Sequence, residues 1–229
     1  REYARQVMDS YAQLDHAMQN APPSRELRAG ATITIGNTLL AEISASLKEC
    51  HPDIRQRLYV ENTQALEKRL LRNEIDIALS ITPTLAETYS NPGEIDALEA
   101  ICSRQHPLFG KRKILVEELR NQEFILREQG SGTRNIFENY MRTAKIPIRV
   151  IGESTSSTAI IEMVIRNLGL GVLSRRCVQR YTSENLISAC VIQGMPMSRS
   201  FYICYPVHHP VTSQMTDFIH AAQQAVQPA

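Results

Sequence analysis

Twice along its length the chain alternates short β-branched or aliphatic runs with longer stretches of helical period. This doubled β-α-β-α-β order constrains the fold more than any other feature. In the first pass, Thr32–Gly36 (TITIG) reads as a strand and Leu39–Cys50 as a helix with Leu40, Ile43, Leu47 and Cys50 on one face. Arg57–Glu61 reads as a strand, Gln64–Arg72 as a helix and Ile75–Ile81 as a buried strand. The second pass places strands at Phe124–Arg127, Ile148–Gly152 and Val172–Leu173, with helices at Thr133–Thr143 and Ser157–Asn167 between them. Each pass can close a small parallel sheet through right-handed crossovers. Strand-like runs at Ile95–Ser103 and Ser200–Tyr205 are placed to cross between the two units, and Thr212–Val226 reads as a helix. The expected fold class is α/β: two βαβαβ lobes joined by two crossover strands, with a cleft between them. Lobe 1 takes 31–103 and 205–229, and lobe 2 takes 104–204.

Ligands of open α/β sheets bind beyond the carboxyl ends of the strands. Four strand-to-helix junctions here carry hydroxyls or amides: Gly36-Asn37-Thr38, Glu61-Asn62-Thr63, Gly130-Ser131-Gly132-Thr133 and Glu153-Ser154-Thr155-Ser156-Ser157-Thr158. If all four face the cleft, several sets of unpaired helix-end N–H groups point at one small space, and a glycine-flanked loop can approach a bound anion. The expected ligand contacts are Asn37, Thr38, Thr63, Ser103, Ser131, Gly132, Thr133, Arg134 and Thr155. Arg104, near the expected hinge, is a further cationic candidate, and Glu61 and Glu153 are the nearby carboxylates. An N-cap role is open for each junction taken separately. For Arg134, a salt bridge or a solvated helix face stands level with a ligand contact. The expected ligand is a small anionic or polar organic molecule, foremost a carboxylate.

Composition limits the alternatives. A net charge of +1 supplies no field for nucleic acid, which tells against a stand-alone DNA-binding domain. Five cysteines, none in CxxC spacing, suggest neither a disulfide framework nor a zinc site. Cys177 lies beside Arg175 and Arg176, which could lower its pKa, but a structural thiol is the favoured reading. Reduced thiols suit a cytoplasmic location. No metal or other cofactor is expected: His208-His209 reads as a solvated loop, and the other histidines lack ligand spacing. Nucleophile-elbow, P-loop, dinucleotide and zincin motifs are all missing, so an enzyme is a distant third choice. No apolar run is long enough to span a bilayer. Residues 1–21 place Ala4, Val7, Tyr11, Leu14 and Met18 at spacings of three and four, the seam of a short coiled coil. They read as a linker or dimerisation helix, followed by a proline-containing linker over 22–30. The start at Arg1 suggests a fragment or a trimmed product.

The order and spacing of six segments resemble the effector-binding domain of LysR-type transcriptional regulators. They are GATITIGNT (30–38), HPDIRQRLYVENT (51–63), LLRNEIDIALS (70–80), RQHPLFGKRKILVEEL (104–119), GSGTRNIFENYM (130–141) and ESTSSTAIIEMVIRNLGLGVL (153–173). The resemblance implies a periplasmic-binding-protein-like fold of the second type, with a small-molecule effector between the lobes. It implies that residues 1–21 are the dimerising linker helix. It also implies a winged helix-turn-helix domain before Arg1 in the intact protein, through which alone DNA would be bound. A homodimer or tetramer is implied, with lobes side by side and antiparallel through Leu39–Cys50 and Ser157–Asn167, where Ala41 and Met163 are candidates for exposure. A transport-type solute-binding protein would share the fold, but would normally carry a signal peptide and no dimerising helix.

Overall fold

The computed structural model describes Tyr3, Met8 and residues 25–82, 87–194, 197–206 and 210–226. The expected helix over 1–21 lies outside these apart from Tyr3 and Met8, both helical and exposed, and His208-His209 also lies outside them.

Lobe 1 is built on β1 (Glu26–Thr32), which lies between β2 (Arg55–Glu61) and β3 (Ile77–Ser80), parallel to both. The strand therefore starts earlier than expected, and Glu26–Gly30, read as linker, belong to it. The segment read as the first strand is instead the short helix α1 (Ile33–Thr38). Its β-branched residues disfavour a helix, but Thr34 and Ile35 are buried, and packing overrides propensity. Small residues hid β1. Ala29 and Ala31 are fully buried, and a Cβ on Gly30 would lie 2.4 Å from Leu66 Cδ1. The absent side chain lets helix α3 (Thr63–Leu71) lie against the strand.

Helix α2 (Leu40–Cys50) buries Leu40, Ile43 and Leu47, whereas Cys50 is exposed rather than on the apolar face. The last helix, α7 (Ser213–Val226), returns to lobe 1. Its Met215, Phe218 and Ala222 share a core with Leu27, Ile43 and Leu47.

Lobe 2 repeats the plan. Strand β6 (Glu123–Arg127) runs parallel to β7 (Arg149–Ser154) and β8 (Leu170–Ser174). Helices α4 (Gly132–Thr143) and α5 (Ser157–Ile165) connect them. Four elements go beyond the expected set: the two-residue strand β5 (Lys113–Ile114), a single 3-10 turn at Val116–Leu119, helix α6 (Arg175–Ser183) and strand β9 (Ile187–Ile192). Asparagines in the left-handed region, Asn73, Asn167 and Asn185, follow α3, α5 and α6.

Two strands join the lobes. Strand β4 (Glu87–Ser103) pairs with β10 (Ser198–Tyr205), then continues into lobe 2 to pair with β8 and β9. Strand β10 in turn pairs with β3. The order is β2-β1-β3-β10-β4-β8-β6-β7, so β2 and β7 are its edges. Helices α1, α3, α4, α5 and α6 all start where β1, β2, β6, β7 and β8 end.

Gly169, just before β8, shows how closely that strand lies to β6. A Cβ there would stand 2.9 Å from the backbone oxygen of Glu123, which cannot swing aside as a side chain can. Gly169→Ala should cost about 1–3 kcal/mol through overpacking, read as a lowered midpoint in denaturant unfolding at unchanged slope.

Candidate functional site: the cleft between the lobes

The junction of the lobes is organised by one buried ion pair. Asp96 on β4 and Arg199 on β10 are direct cross-strand partners. Arg199 donates to Asp96 Oδ2 from Nε at 2.7 Å and from Nη2 at 2.7 Å. Its remaining capacity reaches into both lobes: Nη2 donates to Thr34 Oγ1 on α1 at 3.0 Å, and Nη1 to Thr133 Oγ1 on α4 at 2.8 Å. Ser174, the N-cap of α6, donates from Oγ to Asp96 Oδ1 at 2.7 Å. Every member is buried. Burial pushes the Arg199 guanidinium below the usual arginine value, against the pull of Asp96.

Cys177 lies near this group. Burial, helped by the Asp96 charge, pushes its thiol up to about 11, and the opposing pull of Arg199 and Arg127 does not prevail. The flanking arginines read from the sequence do not make it acidic.

Beside this junction a concavity of about 480 Å³ opens between the lobes. Asn37, Glu61 and Asn62 line it from lobe 1, and Glu128, Thr155, Ser156 and Thr158 from lobe 2. Two helix starts meet there. Asn62 caps α3 by accepting from Ala65 N at 2.9 Å, and Ser156 caps α5 by accepting from Ala159 N at 3.2 Å. Both carboxylates are paired: Arg69 donates to Glu61 Oε1 at 2.9 and 2.7 Å, and the buried Arg127 donates to both oxygens of Glu128 at 2.9 and 3.0 Å. Arg69 is also 4.8 Å from the centre of the Tyr59 ring. The cleft thus offers hydroxyls, amides and helix-end donors on walls whose acidic groups are already matched by arginines.

Of the expected contacts, Asn37 and Thr155 line the concavity. The loop before α4 meets lobe 1 instead. Gly132 N donates to Thr63 Oγ1 at 3.3 Å, and Gln64 N donates to Gly130 O at 3.3 Å. A Cβ on Gly132 would sit 2.9 Å from both Thr63 Oγ1 and Ile81 Cδ1, so the glycine serves the approach of the lobes. Ser131 is buried at the N-cap without a side-chain capping bond, and the Thr133 hydroxyl is committed to Arg199. Thr38 donates its hydroxyl to Thr34 O within α1 at 2.8 Å. Arg134 is a salt-bridging residue: it donates to Glu138 at 2.7 Å, to Glu153 at 2.6 Å and to the Arg127 carbonyl at 3.0 Å.

Ser103 is not at the cleft. It donates to Asn167 Oδ1 at 2.6 Å, beyond the C-terminal end of α5, a full helix length from the start that faces the cleft. Arg104 is there too, donating to the Asn185 carbonyl, so it is distal to the hinge. Strand-end position alone does not say which end of the strand faces the ligand. Asn62, Glu128, Ser156 and Thr158 went unassigned although they neighbour assigned residues, and Asp96 and Arg199 left no local signal. Among the described residues no group of three or more His, Cys, Asp or Glu is placed to hold a metal, and no helix is long and apolar enough to cross a membrane.

Asp96→Ala leaves a buried guanidinium uncompensated and should cost about 3–5 kcal/mol in denaturant unfolding. In native protein at about pH 8, iodoacetamide should label the exposed Cys50 and spare Cys177, whose labelling should rise only as the pH approaches 11.

The model of the LysR substrate binding domain matches residues 20–227. The HTH-type transcriptional activator CmpR of Synechocystis is 29% identical over 205 residues, covering 86% of this chain and 66% of that protein. The chain therefore spans just under two thirds of that relative's length. The regulatory domain of Synechocystis CcmR in complex with 2-PG superposes with a TM-score of 0.81 at 24% identity, covering 88% of this chain and 97% of that one. The effector binding domain of QuiR in complex with shikimate gives a TM-score of 0.77 at 16% identity, covering 88% and 96%. At those identities the two structures speak for the fold: a two-lobed mixed α/β domain of the second periplasmic-binding-protein type. With the family match running over nearly the whole chain, this protein belongs to the LysR substrate-binding domain family.

Proposed function

We propose that the chain is the ligand-sensing part of a LysR-type transcriptional regulator, taking a small polar effector in the cleft. Its occupancy would be passed to a winged helix-turn-helix DNA-binding domain elsewhere in the intact protein. The observation that carries this reading is the convergence of two capped helix starts, α3 from lobe 1 and α5 from lobe 2, on one concavity beside a hinge. An anionic group of the effector is best served at the start of α5, where the dipole and backbone donors favour it. Hydroxyl or amino groups on the same molecule would face Asn37, Asn62 and the two paired carboxylates. The 2-PG and shikimate held by the CcmR and QuiR domains are small molecules of a size such a cleft accepts. The contact set is thus revised from the loop at Ser131 and Thr133 toward Asn37, Asn62, Thr155, Ser156 and Thr158.

Signalling needs differential binding to two arrangements of the lobes. Direct lobe-to-lobe hydrogen bonds near the cleft, from Gln64 to Gly130 and from Gly132 to Thr63, are few and peripheral. A bridging effector would add to them. The proposed protein is a cytoplasmic homodimer or tetramer that is not an enzyme, needs no cofactor and touches DNA only through its other domain. Edge strands support the assembly: Leu58 on β2, and Val150 and Ile151 on β7, are exposed apolar side chains. A transport-type solute-binding protein of the same fold is the second reading, and it predicts ligand binding without self-association.

Calorimetry with 2-PG and shikimate as first probes tests the site. Asn37→Ala and Thr158→Val should each weaken binding of whichever probe is taken by about ten- to a hundredfold, equivalent to about 1.5–3 kcal/mol for a bond to a charged group. Unchanged affinity in both variants would remove these side chains from the site. Leu58→Asp combined with Ile151→Asp should shift the sedimenting species to monomer, and a chain already monomeric at micromolar concentration would favour the second reading.

A further inference from the structure

Lobe 2 carries a second concavity of about 440 Å³, away from the cleft, between α6 and the loop that precedes β5. Its floor is apolar: Val178 and Ile187 are almost fully buried, and Ala189 and Phe109 are half-buried beside them. Two small residues keep it open. Ala189 offers only a methyl group, and Gly110, at φ 82°, has open space where a Cβ would be while its N–H donates to Ser188 Oγ. At the rim stands an ion pair of unequal members. Glu99 on β4 has a side chain 9% exposed, and Arg175 at the start of α6 one 58% exposed. Arg175 donates from Nε at 2.8 Å and from Nη2 at 2.7 Å, both times to Oε1 of Glu99. A fork-on-fork pair would use both carboxylate oxygens. Here Oε2 lies outside the pair, as does Nη1 of the guanidinium.

We infer that this groove is a second ligand site, for an α-amino acid with an apolar side chain. Glu99 and Arg175 are the charged residues of its lining and they cancel, so a simple anion or cation gains no net field there. A zwitterion gains at both ends: its ammonium donates to Glu99 Oε2 and its carboxylate accepts from Arg175 Nη1, giving alternating charges without breaking the existing pair. The side chain then lies on Val178, Ile187, Ala189 and Phe109. The volume is in the range of small-molecule sites, and an apolar floor with a few convergent polar groups is their usual construction. Nothing in this inference depends on the effector cleft, since every lining residue lies in lobe 2 or, for Glu99, on the part of β4 that pairs with β8 of lobe 2.

The test is a titration of the full chain with leucine, methionine and phenylalanine, followed by calorimetry and by backbone amide shifts. At least one amino acid should saturate below about 10 mM, with N-acetylated and amidated forms at least about tenfold weaker. Glu99→Gln, which keeps shape and removes charge, and Ala189→Leu, which fills the floor, should each weaken binding by about tenfold or more. Asn37→Ala in the cleft should leave it unchanged. No saturable binding, equal binding of the blocked forms, or binding that survives both lobe 2 substitutions would overturn the inference. Loss of binding in Asn37→Ala alone would place the amino acid in the cleft, overturning the groove and leaving the sensor reading intact.

Discussion

The Asp96 carboxylate and the Arg199 guanidinium lie out of water where the two crossover strands run side by side. Removing two ions from water costs several kcal/mol each, and their attraction recovers it only if the remaining donors and acceptors are also met. The way this is done determines the local structure. Arg199 reaches one hydroxyl on each lobe, Thr34 and Thr133, and Asp96 accepts from the residue that caps α6. Three helix starts are therefore fixed to the same pair of strands. An apolar pair of similar volume could be as stable, but it would not specify where α1, α4 and α6 begin. The pair's contribution is best understood as geometric.

That position also divides the interface between the lobes into a fixed part and a yielding part. At the strands, the contacts are buried, charged and shared among five side chains. At the mouth, the hydrogen bonds among the described residues are two backbone-donated ones of 3.3 Å near Thr63 and Gly132, with the walls of the concavity beyond. A relative rotation of the lobes that leaves the ion pair intact would open or close the mouth while changing little near the strands. Hinges are usually a few residues at element ends. Here the bulge in the pairing of β10 with β4, between Ser200 and Tyr202, is next to Arg199 and supplies such a place.

The architecture was legible because it is written in apolar periodicity. Leu40, Ile43 and Leu47 on α2, and Ile160, Ile161 and Val164 on α5, announce helices that cover sheets, and the buried run at Ile77–Ser80 announces a central strand. Strand β1 was misplaced for the opposite reason: its packing uses Ala29, Gly30 and Ala31, whose smallness looks like a linker until a helix is seen lying on it. Helix α6 is not legible in the sequence because RRCVQRYTS is mostly polar and buries only Val178 completely. On the wall of the concavity, Asn37 and Thr155 are legible as polar residues at strand ends. The hydrogen bond that Thr133 accepts from Arg199 is not legible, because its partner is 66 residues away on β10. The ion pair itself spans 103 residues, and no local pattern marks an arginine in MSRSF as the inward-facing member of a strand.

Charge placement in the cleft constrains what can enter it. Glu61 and Glu128 would repel an anion if they stood alone, and the two helix starts would repel a cation. Arg69, partly exposed behind Glu61, and Arg127, buried behind Glu128, turn each carboxylate into half of a pair before any ligand arrives. On the proposed reading, an anionic group would use the helix-end donors of α5 without facing bare negative charge, while the carboxylate oxygens would accept from hydroxyl or amino groups on the same ligand. The walls favour a molecule with an acidic end and several donors over a bare anion, because only the former satisfies both kinds of surface. A purely apolar ligand would desolvate Asn37, Thr158 and the donors of Asn62 and Ser156 that capping leaves over, at about 1–3 kcal/mol for each group buried without a partner. In the proposed site, selection would therefore work more through that penalty than through any single strong contact.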